Sequence, residues 1–451
     1  MRMGLGFGAW AGICAACIGA VVACGGENSA GFGTGGSAGV STGGASGGGG
    51  GSSGTGATSG SGGVGAGGTG SGGVAGSATG GGGNSGSGGN AGDGGPTCTS
   101  GPNDDKDQDS FTVSAGDCND CDAKVNPGAV ELAGNTKDDD CNGQVDDAPA
   151  PCDDAVVIDE KDPVTVAKTI ELCKKAAGAK DWGLVGAKWV LPDGTAVPAT
   201  SEGNYHLGHG ALPTFGTNGK VQAGKRMLAL SSGTARQPTD DGYQDVSGFN
   251  KNFGSGSPAG FPKESPACPN VTTGTPYDGV ALEVAVRVPT NAVGFTFDSG
   301  FYTFEWPDYV CSTYNDFFLA LLTPTLPGQN DANVLYDAQG NLMSVNSALL
   351  DVCACAGGPP CSTGGKTYSC AQGANLLVKT GFGKDSPGGV DHGATGWLVT
   401  SVPATGGSTV TMRFTIYDSG DGVLDSTALV DNWTWITSGP APTAPSTKAK
   451  P

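Results

Sequence analysis

Residues 280–288 read VALEVAVRV, and this stretch decides the fold class. Every second side chain is large and apolar, which is the period of a β-strand with one buried face. Residues 410–416, VTMRFTI, repeat the pattern between turns rich in Gly and Pro. The alternation predicts an all-β domain over residues 152–437, folded as a large antiparallel, jelly-roll-like β-sandwich. Its inward positions are Val280, Leu282, Val284, Val286, Val288, Val410, Met412, Phe414 and Ile416.

One short helix is predicted at the N-terminal end of this domain. Asp162 precedes Pro163, the order of an N-cap residue followed by a proline at the first helical position. Helical spacing continues through Val166, Ala167, Ile170 and Cys173. Beyond the sandwich, residues 438–451 are rich in Pro, Ala and Thr, and we expect a disordered tail.

The charge of the chain narrows the classes of function. The 451 residues contain 23 Lys and Arg against 43 Asp and Glu, a formal net charge of −20. This balance argues against binding to nucleic acid or to anionic membranes, and it favours divalent cations as counter-ions. With His at only 3 positions, catalysis by several imidazoles is also disfavoured.

The N-terminus indicates export. An apolar run follows Arg2 and ends at Ala23, which predicts a signal peptide over residues 1–23. A single membrane-spanning helix is the alternative, but the run is barely long enough and consists of small residues. Its end, VVAC, resembles a bacterial lipobox, which implies a lipid-anchored Cys24. Because Gly25 stands where Asp would retain a lipoprotein at the inner membrane, we expect the outer membrane or the cell surface.

Residues 24–97 are almost wholly Gly, Ser, Ala and Thr. Such a composition cannot form a core, so we predict a disordered, flexible tether behind the lipidated cysteine. A coil of about seventy residues has a root-mean-square span of about 45–50 Å. The tether would hold the folded part clear of the membrane.

An even number of cysteines, twelve, follows Cys24. Disulfides are the default in an exported chain, although the sequence does not give their pairing. A structural zinc site is the alternative, built on Cys118 and Cys121 with Cys98 and Cys141. It is disfavoured because the neighbouring side chains are hard oxygen donors. The disulfide candidates are Cys98, Cys118, Cys121, Cys141, Cys152, Cys173, Cys268, Cys311, Cys353, Cys355, Cys361 and Cys370.

Residues 98–148 form a small, irregular acidic module with two calcium-loop patterns. In the first loop, carboxylates alternate in the order that wraps a loop around one Ca²⁺, and Phe111 can add its carbonyl. The second loop follows positions 1, 3, 5, 6 and 7 of an EF-hand. Neither loop has the Glu of position 12, since Gly116 and Pro149 stand there. The candidates are Asp105, Asp107 and Asp109 in the first loop, and Asp138, Asp140, Asn142, Gly143 and Gln144 in the second.

The stretch D-x-D-x-D-S-F…G-D-C-N-D…V-N-P-G-A-V-E…D-D-D-C-N-G-Q-V-D-D, residues 105–147, resembles the MopE-like metal-binding repeat of bacterial surface proteins. The resemblance implies a disulfide between Cys118 and Cys141. The family name refers to copper, but oxygen donors without nearby His or Met favour calcium over copper or zinc. The resemblance implies metal binding by Asp105, Asp107, Asp109, Asp117, Asp120, Asp122, Asp138, Asp140, Asn142 and Asp146.

Residues 301–322, FYTFEWPDYVCSTYNDFFLALL, and residues 414–436, FTIYDSGDGVLDSTALVDNWTWI, together resemble the choice-of-anchor L domain. That family is a β-rich exported module of bacteria, and the resemblance covers most of residues 152–437. The whole arrangement is similar to that of myxobacterial surface lipoproteins. Acidic groups at the strand ends are expected to converge on one calcium site, with a simple Asx turn over residues 418–422 as the alternative. The candidates are Glu305, Asn315, Asp316, Asp418, Asp421 and Asp425.

Catalytic patterns are weak. His206 and His209 lack the Glu and the helical spacing of a zinc protease, and no nucleophile elbow accompanies His392. We therefore expect no enzyme, but a calcium-binding surface lipoprotein that serves adhesion or binds an extracellular glycan or protein. The alternative is a secreted, glycosidase-like hydrolase, with Glu305 and Asp418 as its first candidate carboxylates.

Overall fold

The computed structural model describes residues 98–147, 149–263 and 265–450. The predicted signal peptide, the lipidated Cys24 and the Gly/Ser tether fall in residues 1–97 and lie outside the described residues. Within the described part, the helices are all too short or too polar to cross a membrane.

One sheet of the sandwich has four antiparallel strands, numbered here in chain order along the whole molecule. Inward side chains of the central VALEVAVRV stretch are fully buried, as its period predicts. On the outer face, Glu283 pairs with Lys188 of one neighbouring strand at 2.9 Å and with Arg413 of the other at 2.7 Å. The strands are β1 (Gly183–Val190), β6 (Pro276–Arg287), β8 (Phe317–Thr323) and β13 (Thr409–Ser419), in the spatial order β1-β6-β13-β8.

The second sheet has seven antiparallel strands. Its central strands are the long β7 (Gly294–Thr303) and β14 (Ser426–Ile436). The others are β2 (His209–Leu212), β5 (Met227–Ser231), β11 (Gly393–Ala394), β12 (Leu398–Pro403) and β15 (Ser446–Ala449). The spatial order is β15-β12-β7-β14-β5-β2, and β11 pairs with the end of β7.

The main core lies between the two sheets, and this confirms the predicted sandwich. Long strands that follow one another along the chain, such as β6 and β7 or β13 and β14, belong to opposite sheets. Phe297 of β7 meets Phe414 of β13 edge-on, with ring centroids 5.1 Å apart. Burial of this interior by both sheets is the main source of stability.

The seven-stranded sheet is buried on its other face as well. In β5, Leu228 and Leu230 face the main core, whereas Met227 and Ala229 join a second apolar cluster. Long loops cover that cluster, so this strand reads as a continuous apolar run instead of an alternating one. The hairpin β3 (Thr214–Phe215) with β4 (Gly219–Lys220) lies in these loops, whereas β9 (Cys361–Thr363) with β10 (Lys366–Tyr368) packs in a separate apolar cluster with Trp306 and Val310.

Helical structure in the described residues is limited to single turns. The predicted helix is α1 (Pro163–Val166), which a 3₁₀ turn extends over Ala167–Ile170. Its cap forms as expected, because Asp162 accepts the N–H of Thr165 at 2.9 Å. A second short helix, α2 (Glu202–Tyr205), was not predicted. Further 3₁₀ turns cover Val113–Ala115, His206–Gly208 and Asn375–Leu377.

The C-terminal segment differs from the disordered tail expected over residues 438–451. Its residues 446–449 form β15, which pairs with β12 at the edge of the large sheet. Lys450 then forms an ion pair with the buried Asp298. The Pro/Ala/Thr composition does not predict this strand. Its pairing depends on the edge strand β12 and on the charge of Asp298, both of which are distant in the sequence.

All twelve cysteines after Cys24 are paired in the described part of the chain. The bonds connect cysteines that are 6 to 43 residues apart in the sequence. They cross-link loops and the acidic module more than the sandwich core. The pairs are Cys98–Cys121, Cys118–Cys141, Cys152–Cys173, Cys268–Cys311, Cys353–Cys370 and Cys355–Cys361.

Candidate metal centre

Two disulfides tie the turns of the acidic module together. Cys98 bonds to Cys121 and Cys118 bonds to Cys141, each across 23 residues of sequence. The second bond is the one that the MopE resemblance implied. The two pairs interleave along the chain. Cys98, ahead of the first acidic loop, is bonded to the turn at residues 118–121, and Cys118 bonds the same turn to Cys141 in the second acidic loop.

Five aspartates form two overlapping groups in the first half of the module. One group contains Asp105, Asp107 and Asp120, and the other contains Asp107, Asp109 and Asp117. In each group, one oxygen from every member lies within 4.8 Å of the others. Asp107 is shared, so the two groups form one continuous set of carboxylates. The loop of Asp105, Asp107 and Asp109 is thus completed by carboxylate oxygens of Asp117 and Asp120 from the next turn.

Four of these carboxylates have the same arrangement of oxygens. One oxygen accepts a backbone N–H, and the other is buried without a hydrogen-bond partner. Buried polar atoms in proteins are normally paired, so unpaired carboxylate oxygens gathered in one place could hold a cation. The anchoring bonds are Asp109 N to Asp107 Oδ1 at 3.3 Å, Phe111 N to Asp109 Oδ1 at 2.7 Å, Asn119 N to Asp117 Oδ1 at 2.8 Å and Lys106 N to Asp120 Oδ1 at 3.1 Å.

Burial perturbs the acidity of this set. It raises the pKa of Asp117 to about 6, and the charges of Asp109, Asp107 and Asp120 add to the rise. Burial likewise raises the pKa of Asp107 and of Asp109, against the opposing effect of their backbone hydrogen bonds. Carboxylates crowded in this way need a proton or a cation between them.

A third group lies in the second half of the module and contains Glu131, Asp140 and Asp147. Glu131 is buried and organises the loop, because its carboxylate accepts three backbone N–H groups. The donors are Asp139 at 2.9 Å, Asp140 at 3.3 Å and Asp146 at 2.8 Å. Neither Glu131 nor Asp147 was predicted as a ligand. The signal available was a single acid inside the apolar run AVEL, residues 129–132.

Several predicted ligands lie outside the three acidic groups, and their carboxylates accept backbone N–H groups or pair with a lysine. Asp138 accepts the N–H groups of Asn142 at 3.0 Å and Gly143 at 2.9 Å, which closes the turn. Asp146 Oδ1 accepts three successive N–H groups, from residues 134 to 136. Asp122 is paired with the exposed Lys137 at 3.3 Å. These carboxylates shape the loops and lie outside the three groups.

The remaining predicted donors of the module have other partners. The side-chain amide of Asn142 donates to Asp147 at 3.2 Å, which places it beside the third group. Gln144 is exposed, and its N–H donates to Asn142 Oδ1 at 2.8 Å. The ring of Phe111 is buried, with the ammonium of Lys180 4.8 Å from its centroid.

The module is docked on the sandwich. Asn291 forms two hydrogen bonds with the backbone of Val130, accepting its N–H at 3.0 Å and donating to its carbonyl at 2.9 Å. Beside it, Thr290 donates to Asn126 at 2.7 Å. A Cβ on Gly128 would lie 2.9 Å from the carbonyl of Lys180, so only glycine allows this close approach. The module is therefore held by specific contacts as well as by the chain connection.

The strand-end residues predicted in the sandwich do converge. Glu305 follows β7, Asn315 and Asp316 precede β8, Asp418 ends β13 and Asp425 precedes β14. All five are at most 2% exposed. Asp421 is exposed and accepts the N–H of Val423 at 3.1 Å. Of the six predicted residues, it is the one that forms the Asx-type turn given as the alternative to a calcium site. We refer to Glu305, Asp316, Asp418 and Asp425 as the sandwich acid cluster.

Burial raises the pKa of every member of the sandwich acid cluster. For Asp418 the value rises to about 10, with the charges of Asp316 and Asp421 as further causes. For Glu305, Asp316 and Asp425 the pKa lies well above its ordinary value for the same first reason. Lys251 is fully buried nearby, and burial lowers the pKa of its ammonium to about 8.

The histidines form structural hydrogen bonds. His206 Nδ1 and His209 Nε2 lie 2.6 Å apart, and the ring of Trp189 stacks on His209 with a centroid distance of 3.9 Å. His392 Nδ1 lies 2.9 Å from the carbonyl oxygen of Trp306. Burial lowers the pKa of all three imidazoles, which favours neutral rings in fixed positions.

A cavity of about 320 Å³ lies where the module meets the sandwich. Trp182, Trp433 and Trp435 form its aromatic wall, and residues 130–132 of the module form part of the opposite lining. Trp182 and Trp435 meet edge-on, with centroids 6.4 Å apart. Glu171 also lines the cavity, and burial together with the charge of Asp431 raises its pKa to about 9.

Comparison with protein families finds a match in the acidic module. The model described as "Cu-binding_MopE: Putative metal-binding motif" matches residues 117–147. This range contains Asp117, Asp120 and the whole third group, whereas the loop of Asp105 to Asp109 precedes it. No curated protein and no solved structure matches the chain. The chain thus contains a MopE-like metal-binding motif, and it lies inside the acidic module.

Proposed function

We propose that this protein is a calcium-binding, lipid-anchored surface protein whose sandwich binds an extracellular ligand without transforming it. The observation that carries the metal-binding part is the arrangement of Asp107, Asp109, Asp117 and Asp120. Each carboxylate is fixed through one oxygen and keeps a buried second oxygen without a partner. A cation among these oxygens would offset their mutual repulsion and order a module that has little apolar core.

The donor chemistry favours calcium. The three acidic groups supply carboxylate oxygens, which are the ligands of hard cations such as Ca²⁺. Copper and zinc prefer imidazole or thiolate ligands, and the four cysteines of the module are bound in disulfides. Calcium therefore fits the residues better than the copper of the family's name.

The surface location rests on the sequence and is supported by the cysteines. The lipobox-like VVAC at Cys24 and the Gly/Ser tether are typical of an exported lipoprotein. Six disulfides in the described residues suit an oxidising compartment. We also assign the sandwich to the choice-of-anchor L type, on the segments at residues 301–322 and 414–436.

The cavity between module and sandwich supports ligand binding. Its aromatic wall of Trp182, Trp433 and Trp435 suits the apolar face of a sugar ring, so a glycan is the ligand class that we favour. A hydrolase is less well supported. Glu305 and Asp418 are too deeply buried for a substrate to reach, and Glu171 and Asp431 share a hydrogen bond. Glycosidases hold their carboxyl groups about 5–9.5 Å apart.

Calorimetric calcium titration of the full chain tests the proposal. The double variant Asp107→Asn, Asp117→Asn should weaken calcium binding to the module at least tenfold, because both groups of the first half lose charged oxygens. In chelator, the unaltered chain should be cleaved faster by trypsin within residues 98–147 than in calcium.

Asp122→Asn is the matched control. It removes a carboxylate of the same module that is paired with Lys137 and lies outside the three groups. The control should bind calcium like the unaltered chain. Equal binding by the double variant and the unaltered chain, or equal cleavage with and without calcium, would overturn the proposal.

A further inference from the structure

The sandwich acid cluster lies at one end of the sandwich, where segments of both sheets meet. The backbone N–H of Asp316 donates to Glu305 at 2.9 Å. Ser232, just after β5, donates to Asp316 at 3.1 Å and accepts the N–H of Ser426 at 2.9 Å. Asn315 donates its backbone N–H to the carbonyl of Ser419 at 3.2 Å, which joins the start of β8 to the end of β13. The cluster is therefore enclosed by structure on several sides.

Several oxygens of this enclosure have no donor among the protein groups. Asp418 has both carboxylate oxygens buried without a partner, and Asp316, Asp425 and Asn315 each have one. The Asp316 and Asp418 carboxyl groups lie within hydrogen-bonding reach of each other. Five unpartnered oxygens in one interior region exceed what a folded protein normally leaves unpaired. This repeats the pattern of buried, unpartnered oxygens seen in the module.

Charge gives the same indication. Two of the four acids, Asp316 and Asp425, act on the charge of the Lys251 ammonium, whose Nζ donates to the carbonyl of Ser231 at 2.9 Å. Another buried acid, Asp278, already accepts the backbone N–H groups of Lys251 and Phe253. One ammonium cannot balance the acids that surround it, and buried like charges are strongly unfavourable unless compensated.

We propose that the sandwich holds an interior divalent cation of the calcium class, bound between Asp316 and Asp418 with Asn315 as a further oxygen donor. Two carboxylates with an amide oxygen are ligands that Ca²⁺ accepts. The residues come from the approach to β8 and from the end of β13, so the cation would join these two neighbouring strands. This site is independent of the acidic module.

The backbone around the cluster is built close to its carboxylates. A Cβ on Gly233 would lie 2.0 Å from Asp425 Oδ2, so a glycine is required where the chain leaves β5. The carboxylate of Asp425 therefore packs directly against the backbone at residue 233.

The test uses the full chain with all three acidic groups of the module weakened by Asp107→Asn, Asp117→Asn and Asp140→Asn, which we call the module variant. Elemental analysis after gel filtration should find about one more tightly held divalent cation per chain than in the same protein with Asp418→Asn added. Calcium should raise the melting temperature of the module variant, and Asp418→Asn should abolish that rise. Asp421→Asn, three residues away and exposed, is the matched control and should keep both the cation and the rise.

The calcium response of the module variant does not require the Asp418 variant to fold, because it compares one protein in calcium and in chelator. If that protein holds no divalent cation and melts at the same temperature in calcium and in chelator, the proposal is overturned. A melting temperature that Asp418→Asn raises equally in both solutions would also overturn it, since the acids would then be neutralised by protons. Failure here leaves the calcium sites of the module untouched.

Discussion

Asn291→Ala should release the acidic module from the sandwich. Asn291 is 4% exposed and Val130 is 7% exposed, and two hydrogen bonds join the side chain of the first to the backbone of the second. The substitution leaves the N–H and the carbonyl of Val130 buried without partners, at about 1–3 kcal/mol for each group. Allowing for partial relaxation, we expect docking to weaken by roughly 2–4 kcal/mol. At about 1.4 kcal/mol per tenfold, the undocked population rises by roughly 30- to 700-fold.

The assay is limited trypsin digestion of the full chain in saturating calcium, followed by mass spectrometry of the fragments. Lys106, Lys124 and Lys137 provide cleavage sites inside the module. Cleavage there should accelerate in Asn291→Ala but not in Asn330→Ala, which alters an exposed asparagine of the sandwich. A rate of module cleavage within threefold of the unaltered chain would refute the docking role of Asn291.

Two further predictions follow from the acidic groups and the glycines. Calcium affinity should fall as the pH is lowered from 7 to 5, because the folded-state pKa of Asp117 is raised to about 6 and a proton then competes with the cation. Without calcium the sign reverses, and the contribution of Asp117 to stability should decrease as the pH rises from about 4 through 6, which thermal melts in chelator will measure. Gly233→Ala should destabilise the protein by about 1–3 kcal/mol, since the added Cβ would meet Asp425, whereas Gly203→Ala in α2 meets nothing within 4 Å and should not destabilise it.

The sequence patterns predict where strands occur better than which strands pair with each other. The alternation at residues 280–288 predicts a half-buried strand because each side chain reports only which face it occupies. It does not report that β6 lies between β1 and β13, since that pairing depends on contacts over a hundred residues away. The strand β5 shows the converse, because burial on both faces removes the alternation altogether.

Ligand spacing predicts only part of the acidic groups. The alternate carboxylates of residues 105–109 are local, so the sequence reveals them directly. Glu131 and Asp147 join Asp140 only after the loop folds, and no spacing within a turn connects them. Conversely, Asp138 occupies an EF-hand position but accepts backbone N–H groups, because a short acidic side chain stabilises a turn as readily as it binds a metal.

Glu131 joins the third acidic group to the cavity that we propose as the ligand site. Its carboxylate accepts N–H groups from Asp139, Asp140 and Asp146, which shapes the third acidic group, while the residue itself lines the cavity beside the tryptophans. We therefore expect a change in Asp140 or Asp147 to alter the position of the cavity wall through Glu131, whose neighbour Val130 makes the docking contact with the sandwich. If calcium orders the third group, it also fixes one side of the cavity. Ligand binding by this protein should then require calcium even though the aromatic wall of the cavity belongs to the sandwich.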